Sequence, residues 1–293
     1  MSKLSNIPRP AGRGTARERL EQPGPQTYLV AGGGGGMRST IILRILAQEL
    51  SARGLPFTPI DGVQGQGGAQ AIRHPTLQVQ DIEANVGRLH ERTPLLVIAH
   101  CVGTVAALEV VERLSDTRPA ALVSIAPPLP SPRHTIETPQ SMKKRSDGGT
   151  RMRVVDLPDG ALDYSNMTES AAKIDPQYFV DMYAADDLEA RLRRMVEGRN
   201  ATVFAPALDW NVASPARVRA WHKEWDAALP AGDAADLRSR AVVVADSTHG
   251  LYVSPRSGLT VTAEEDIAFQ RANANAVIDA GLLLLNRPAT LVL

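Results

Sequence analysis

The stretch LLVIAHCVGTVAALEVVERL, running from Leu95 to Leu114, holds three statements about structure in twenty residues. Leu95 to Ala99 is unbroken apolar sequence without alternation, the mark of a short strand covered on both faces. From Thr104 onward the apolar residues fall at Val105, Leu108, Val111 and Leu114, one face of a helix. Between them only His100, Cys101, Val102 and Gly103 are left to reverse the chain, so the turn is tight.

The same alternation extends outward. Upstream, Tyr28 to Ala31 is an apolar strand that runs into five glycines, Gly32 to Gly36. Met37 to Arg53 repeats Ile41, Ile42, Ile45, Leu46 and Leu50 at helical spacing, Pro56 to Ile60 reads as a second strand, and Asp81 to Arg92 suits a helix. Downstream, Ala120 to Ala126 is another strand. Strands that are apolar throughout and separated by helices predict an α/β domain with a mostly parallel, doubly wound sheet. The alternation stops at Pro127, Pro128, Pro130 and Pro132. It resumes with strand 201–206, helix 215–228, strand 241–246 and a last helix 263–286. The expected organisation is a flexible leader at 1–25, rich in Pro, Gly and charge, a core built from 26–130 and 201–293, and a mainly helical cap inserted at 131–200.

Composition narrows the function classes. The 293 residues carry 32 Lys+Arg and 32 Asp+Glu, a balance that gives no electrostatic reason to bind nucleic acid or a membrane surface. A lone cysteine forms no internal disulfide, and neither a membrane span nor the apolar core of a signal peptide is seen, so the expected compartment is the cytoplasm.

Ala99-His100-Cys101-Val102-Gly103 fits the pattern of a nucleophile elbow, G-x-S-x-G, with Ala99 and Cys101 in place of Gly and Ser. Such a turn packs strand against helix so closely that only small residues fit two places before and after the nucleophile. The positive end of the following helix faces that residue and suits an anionic sulfur. The competing interpretation is that Cys101 is an inert buried cysteine at a strand end. An oxyanion hole needs one backbone N–H after the nucleophile, here Val102, and one from the loop after an early strand, here Gly33 and Gly34. The glycine run is not a P-loop, because Met37-Arg38-Ser39 stands where Gly-Lys-Ser/Thr is required. It also breaks the G-x-G-x-x-G fingerprint, although Asp61 after the second strand leaves a dinucleotide site as the lesser alternative.

The fold order nucleophile, acid, histidine then selects the partners. His249, just after strand 241–245, stands where the base belongs. Asp209, after strand 201–206, is the preferred acid, with Asp233 and Asp246 behind it. His100 is assigned to the pocket or to packing, and Tyr178 and Met182 of the insertion to a lid over an acyl chain.

Residues 26 to 286 resemble the α/β-hydrolase superfamily. Leu29 to Gly34, Ala99 to Thr104 (beside G-H-S-x-G-G), Ala207 to Val212 and Ser247 to Gly250 are similar to stand-alone thioesterases and acyltransferases of polyketide and nonribosomal-peptide assembly lines. The resemblance implies a Cys101–His249–Asp209 triad acting on an acyl thioester, free or on a carrier protein, with no cofactor and no metal. The products would come from an acyltransferase, cyclase or thioesterase of secondary metabolism. A hydrolase of small esters or lactones, or an inactive hydrolase fold used for binding, are the alternatives.

Overall fold

The computed structural model describes residues 24–32, 40–64, 71–72, 74–127, 142–144, 150–152, 188–198, 200–208, 241–254 and 257–286. Among these, the main sheet has six strands: β1 (Gln26–Val30), β2 (Phe57–Ile60), β3 (Leu95–His100), β4 (Ala120–Ile125), β5 (Ala201–Pro206) and β6 (Ala241–Val244). They lie in the order β6-β5-β4-β3-β1-β2, with every pairing parallel. The helices are α1 (Ile41–Ala52), α2 (Pro75–Val86), α3 (Gly103–Leu114), α4 (Leu188–Glu197) and α5 (Ala263–Leu285). Two short antiparallel pairs, Val63–Gln64 with Ala71–Ile72 and Met142–Lys144 with Thr150–Met152, stand apart from the sheet.

Both faces of the sheet are covered, which explains the unbroken apolar strands. Leu95, Val97 and Ala99 of β3 point into a cluster with Val79 and Ile82 of α2, Leu108 and Val111 of α3, and Leu192 of α4. Leu96 and Ile98 point the other way, into Ile42, Leu46 and Leu50 of α1 and Val277 and Ile278 of α5. All six β3 residues are buried. At about 1.5–3 kcal/mol for each fully buried Leu, Ile or Val, this central strand is a principal source of cohesion. Arg191 of α4 adds a two-pronged ion pair to Glu112 of α3, with Nε 3.1 Å from Oε2 and 3.3 Å from Oε1.

The six strands of the sheet match the expectation to within two residues; the two short antiparallel pairs were not expected, and α2 is displaced. It begins at Pro75, six residues before Asp81, and ends at Val86 rather than Arg92. His74 caps it, its Nδ1 accepting from the Thr76 amide at 3.3 Å, and Pro75 occupies the first turn. Beyond Val86, Gly87 and the turn through Leu89 carry the chain to β3. The leader, most of the 131–200 insertion and the expected helix at 215–228 lie outside the described residues.

Candidate active site

The turn from β3 into α3 takes Cys101 to φ +54°, a left-handed conformation uncommon outside glycine. Holding a side chain there costs about 1–2 kcal/mol, so the surroundings must impose it. They do so through the ladder and the helix. The Cys101 amide donates to the Ile125 carbonyl at 2.9 Å, extending the β3–β4 pairing by one residue. The Cys101 carbonyl then accepts from Thr104 at 3.1 Å and Val102 from Val105 at 3.0 Å, closing the first turn of α3. Thr104 Oγ1 meets Ser124 Oγ at 2.7 Å, so a buried hydroxyl pair ties the helix start to β4.

Close approach explains the small residues. A Cβ on Gly103 would lie 2.8 Å from the Ala31 carbonyl oxygen and 2.9 Å from that of Val30, so α3 can start against β1 only with glycine here. Gly32 lies against the thiol itself: its Cβ would come 2.7 Å from Cys101 Cβ and 3.4 Å from Sγ. The backbone at the mouth of the glycine run therefore borders the sulfur. Cys101 is partly exposed, which a buried, inert strand-end cysteine would not be. Gly33 and Gly34 lie outside the described residues, whereas Val102 is buried at the head of α3.

One contributor to this region was not anticipated. Gln78 of α2 is buried, and its Nε2 donates to the Ala31 carbonyl at 2.9 Å and the Asp61 carbonyl at 3.2 Å. A single amide thus joins the ends of β1 and β2 just before Gly32. Gly62 closes the same contact, since a Cβ there would sit 2.0 Å from the Gly32 oxygen.

The histidine loop is a tight reversal after β6. Asp246 and Leu251 are both left-handed, at φ +57° and +55°. Ser247 Oγ donates to the Val244 carbonyl at 2.8 Å, and the Thr248 amide to the Tyr252 carbonyl at 3.0 Å. The Leu208 amide donates to the Ser247 carbonyl at 3.0 Å, so the chain after β5 is tied to this loop one residue before Asp209. Asp209 itself lies outside the described residues, as do Asp233, Tyr178 and Met182.

His249 reaches the elbow through His100. His100 Nε2 lies 3.0 Å from the His249 carbonyl oxygen, and the two rings meet edge to face with centroids 4.6 Å apart. A carbonyl only accepts, so Nε2 carries the proton. Burial, and secondarily the charge His249 can carry, draw the His100 pKa from 6.5 down to about 3. His100 is thus a neutral donor at neutral pH. Of the two roles open to it, pocket or packing, it has this packing contact.

Among the described residues no group of His, Cys, Asp or Glu is arranged to hold a metal ion, and no helix is long and apolar enough to cross a membrane.

Comparison with known proteins agrees with this architecture. No family model matches the chain, and no curated protein matches it in sequence. Among solved structures it is similar to Est1E from Butyrivibrio proteoclasticus with ferulic acid bound, at 12% identity over 90% of each chain and a TM-score of 0.55. It is also similar to a variant of PytH, at 14% identity over 90% of this chain and 100% of that one, TM-score 0.50. ClbQ from the colibactin NRPS/PKS pathway shares 14% identity over 89% of this chain and 100% of its own, TM-score 0.47. Identities this low speak for fold alone. The protein has the α/β-hydrolase fold, and its structural neighbours are α/β-hydrolase superfamily members.

Proposed function

We propose that the protein is an acyl-transfer enzyme that takes an acyl group from a thioester onto Cys101. The observation that carries this is the left-handed Cys101 at the strand-to-helix turn, with Gly32 against its sulfur and the His249 loop bonded to the adjacent residue. Strained non-glycine residues cluster at active sites, and at this one the strained residue presents a partly exposed thiol.

His249 takes the thiol proton as Sγ attacks the acyl carbonyl carbon. The electron pair moves onto the carbonyl oxygen, where the amides of Val102 and of the Gly33–Gly34 segment stabilise it. Collapse expels the donor thiolate, which recovers the proton from His249 and leaves a thioester on Cys101. Asp209 orients the imidazole and stabilises its charged form. An acceptor (a carrier thiol, amine, internal hydroxyl or water) then repeats the sequence in reverse. Tyr178 and Met182 of the insertion would cover the acyl chain. Cysteine favours transfer or cyclisation over hydrolysis, because the enzyme-bound thioester stays as activated as the one it replaced, whereas a serine ester does not.

Replacing Cys101 with Ser tests both parts. Incubation with acyl thioesters, followed by mass spectrometry of the protein and of released acid, should show a labile acyl adduct on the native chain. Cys101→Ser should instead accumulate a stable adduct and lose transfer to thiol acceptors. A native chain that takes no acyl group at Cys101 refutes the nucleophile. A Cys101→Ser variant that hydrolyses thioesters at the native rate refutes transfer and leaves a thioesterase.

A further inference from the structure

We infer that His100 is a positioning residue, which clamps the His249 loop to the backbone that presents Cys101 and so sets the distance between base and nucleophile. The inference deepens the proposed function and rests on the roles given there to Cys101 and His249.

His100 is the last residue of β3, paired with Ile125 of β4, while its neighbour Ala99 pairs with Val30 on the other side. Its main chain therefore moves only with the centre of the sheet. The next residue is Cys101, held by the same strand through Ile125. The side chain, 6% exposed, leaves this fixed point and donates from Nε2 to the carbonyl of His249 itself. The rest of the loop is tied to its own strand and to the chain after β5, through Val244, Tyr252 and Leu208. Those bonds give the loop its shape. The bond from His100 refers the loop to the elbow, 149 residues away in sequence. The edge-to-face contact of the rings adds an orientation, since rotation of the His249 ring about its axis would disturb it.

A clamp in this position must donate a hydrogen bond without carrying charge. The base becomes an imidazolium each time it accepts the thiol proton, and a cation 4.6 Å away, centroid to centroid, would oppose that step. A neutral imidazole meets both conditions. Glutamine does too, because its Nε2 is as many bonds from Cα as the histidine Nε2. Asparagine falls one bond short, and leucine keeps the bulk without the donor.

The test is the rate of Cys101 alkylation by iodoacetamide at neutral pH, measured for the native chain, for His100→Gln, His100→Asn and His100→Leu, and for Cys101→Ala and His249→Ala as references. Thermal midpoints and imidazole nitrogen NMR signals of His249 are recorded for each. His100→Gln should label within about threefold of native, while His100→Asn and His100→Leu fall about tenfold or more, as expected for a catalytic group displaced by a fraction of an ångström. The His249 nitrogen signals should shift in the slow variants and stay near native in His100→Gln. Native labelling rates in His100→Asn and His100→Leu would overturn the clamp. So would a fall in all three, glutamine included, that tracks their thermal midpoints, because that is the pattern of a merely structural residue. A different result bears on the parent reading: if His249→Ala labels as fast as native, His249 is not the base, and the proposed function fails together with the clamp.

Discussion

The buried neutral state of His100 makes the fold acid-sensitive in a calculable way. In the unfolded chain its imidazole titrates near 6.5, and in the folded protein near 3. Between these values the unfolded state binds a proton that the folded state refuses. The stability contributed by neutral His100 is therefore complete above pH 6.5 and is lost as pH falls toward 3, below which the loss is complete. At pH 5 the unfolded side chain lies 1.5 pH units below its own pKa. At 1.36 kcal/mol per unit, the penalty relative to pH 7 is about 2 kcal/mol. The assay is urea unfolding at pH 7 and pH 5 for the native chain and for His100→Gln, which keeps a donor at the same reach but does not titrate. Subtracting the two removes the ionisable groups they share, leaving His100 and its coupling to His249. The native chain should lose about 2 kcal/mol more than the variant, a shift of roughly 0.7 M or more in midpoint for a urea slope near the upper end of the small-protein range. Parallel losses, within about 0.5 kcal/mol, would show that His100 is charged or solvated in the folded state and would refute the reasoning.

The elbow and the glycine mouth give two further expectations. Because Cys101 sits at φ +54°, Cys101→Gly should be more stable than Cys101→Ala by up to about 1 kcal/mol in urea unfolding, the reverse of the usual order within regular structure; equal stabilities would mean the strain is not there. Gln78→Leu should cost about 2 kcal/mol by removing the donor to the buried Ala31 carbonyl, and it should slow iodoacetamide labelling of Cys101 as Gly32 loosens; a change below about 0.5 kcal/mol would mean another group satisfies that carbonyl.

These tests bear on residues that differ in how visibly they are written in the chain. The sheet was legible because its inner strands lie between two helical layers and are mostly apolar, as in Leu95 to Ala99 and Ala201 to Pro206, with small polar residues such as Thr202 and Ser124 among them. The elbow was legible because strand, turn and helix are contiguous and the steric demand falls on neighbours, and the contact between Gly103 and the carbonyls of Val30 and Ala31 is that demand in atomic form. Helix α2 was misplaced because its early turns carry Thr76, Gln78 and Gln80 among few apolar residues, and placing its start at Asp81 removed Gln78 from the helix altogether. With the start at Pro75, the buried face runs Pro75, Gln78, Val79, Ile82, Val86, and a glutamine in that stripe requires a buried acceptor. That signal was present and pointed to the carbonyls that flank the site. No comparable signal announces the bond from His100 to His249. It depends on how far a loop after the last strand bends back over the sheet, and that loop holds two left-handed non-glycine residues, Asp246 and Leu251, of which the leucine is one that local propensity disfavours. Chain order could place a histidine after the last strand of the sheet. Only the packed structure shows the residue beside Cys101 reaching across to the His249 carbonyl, and for that reason this geometry is what the His100 substitutions put at risk.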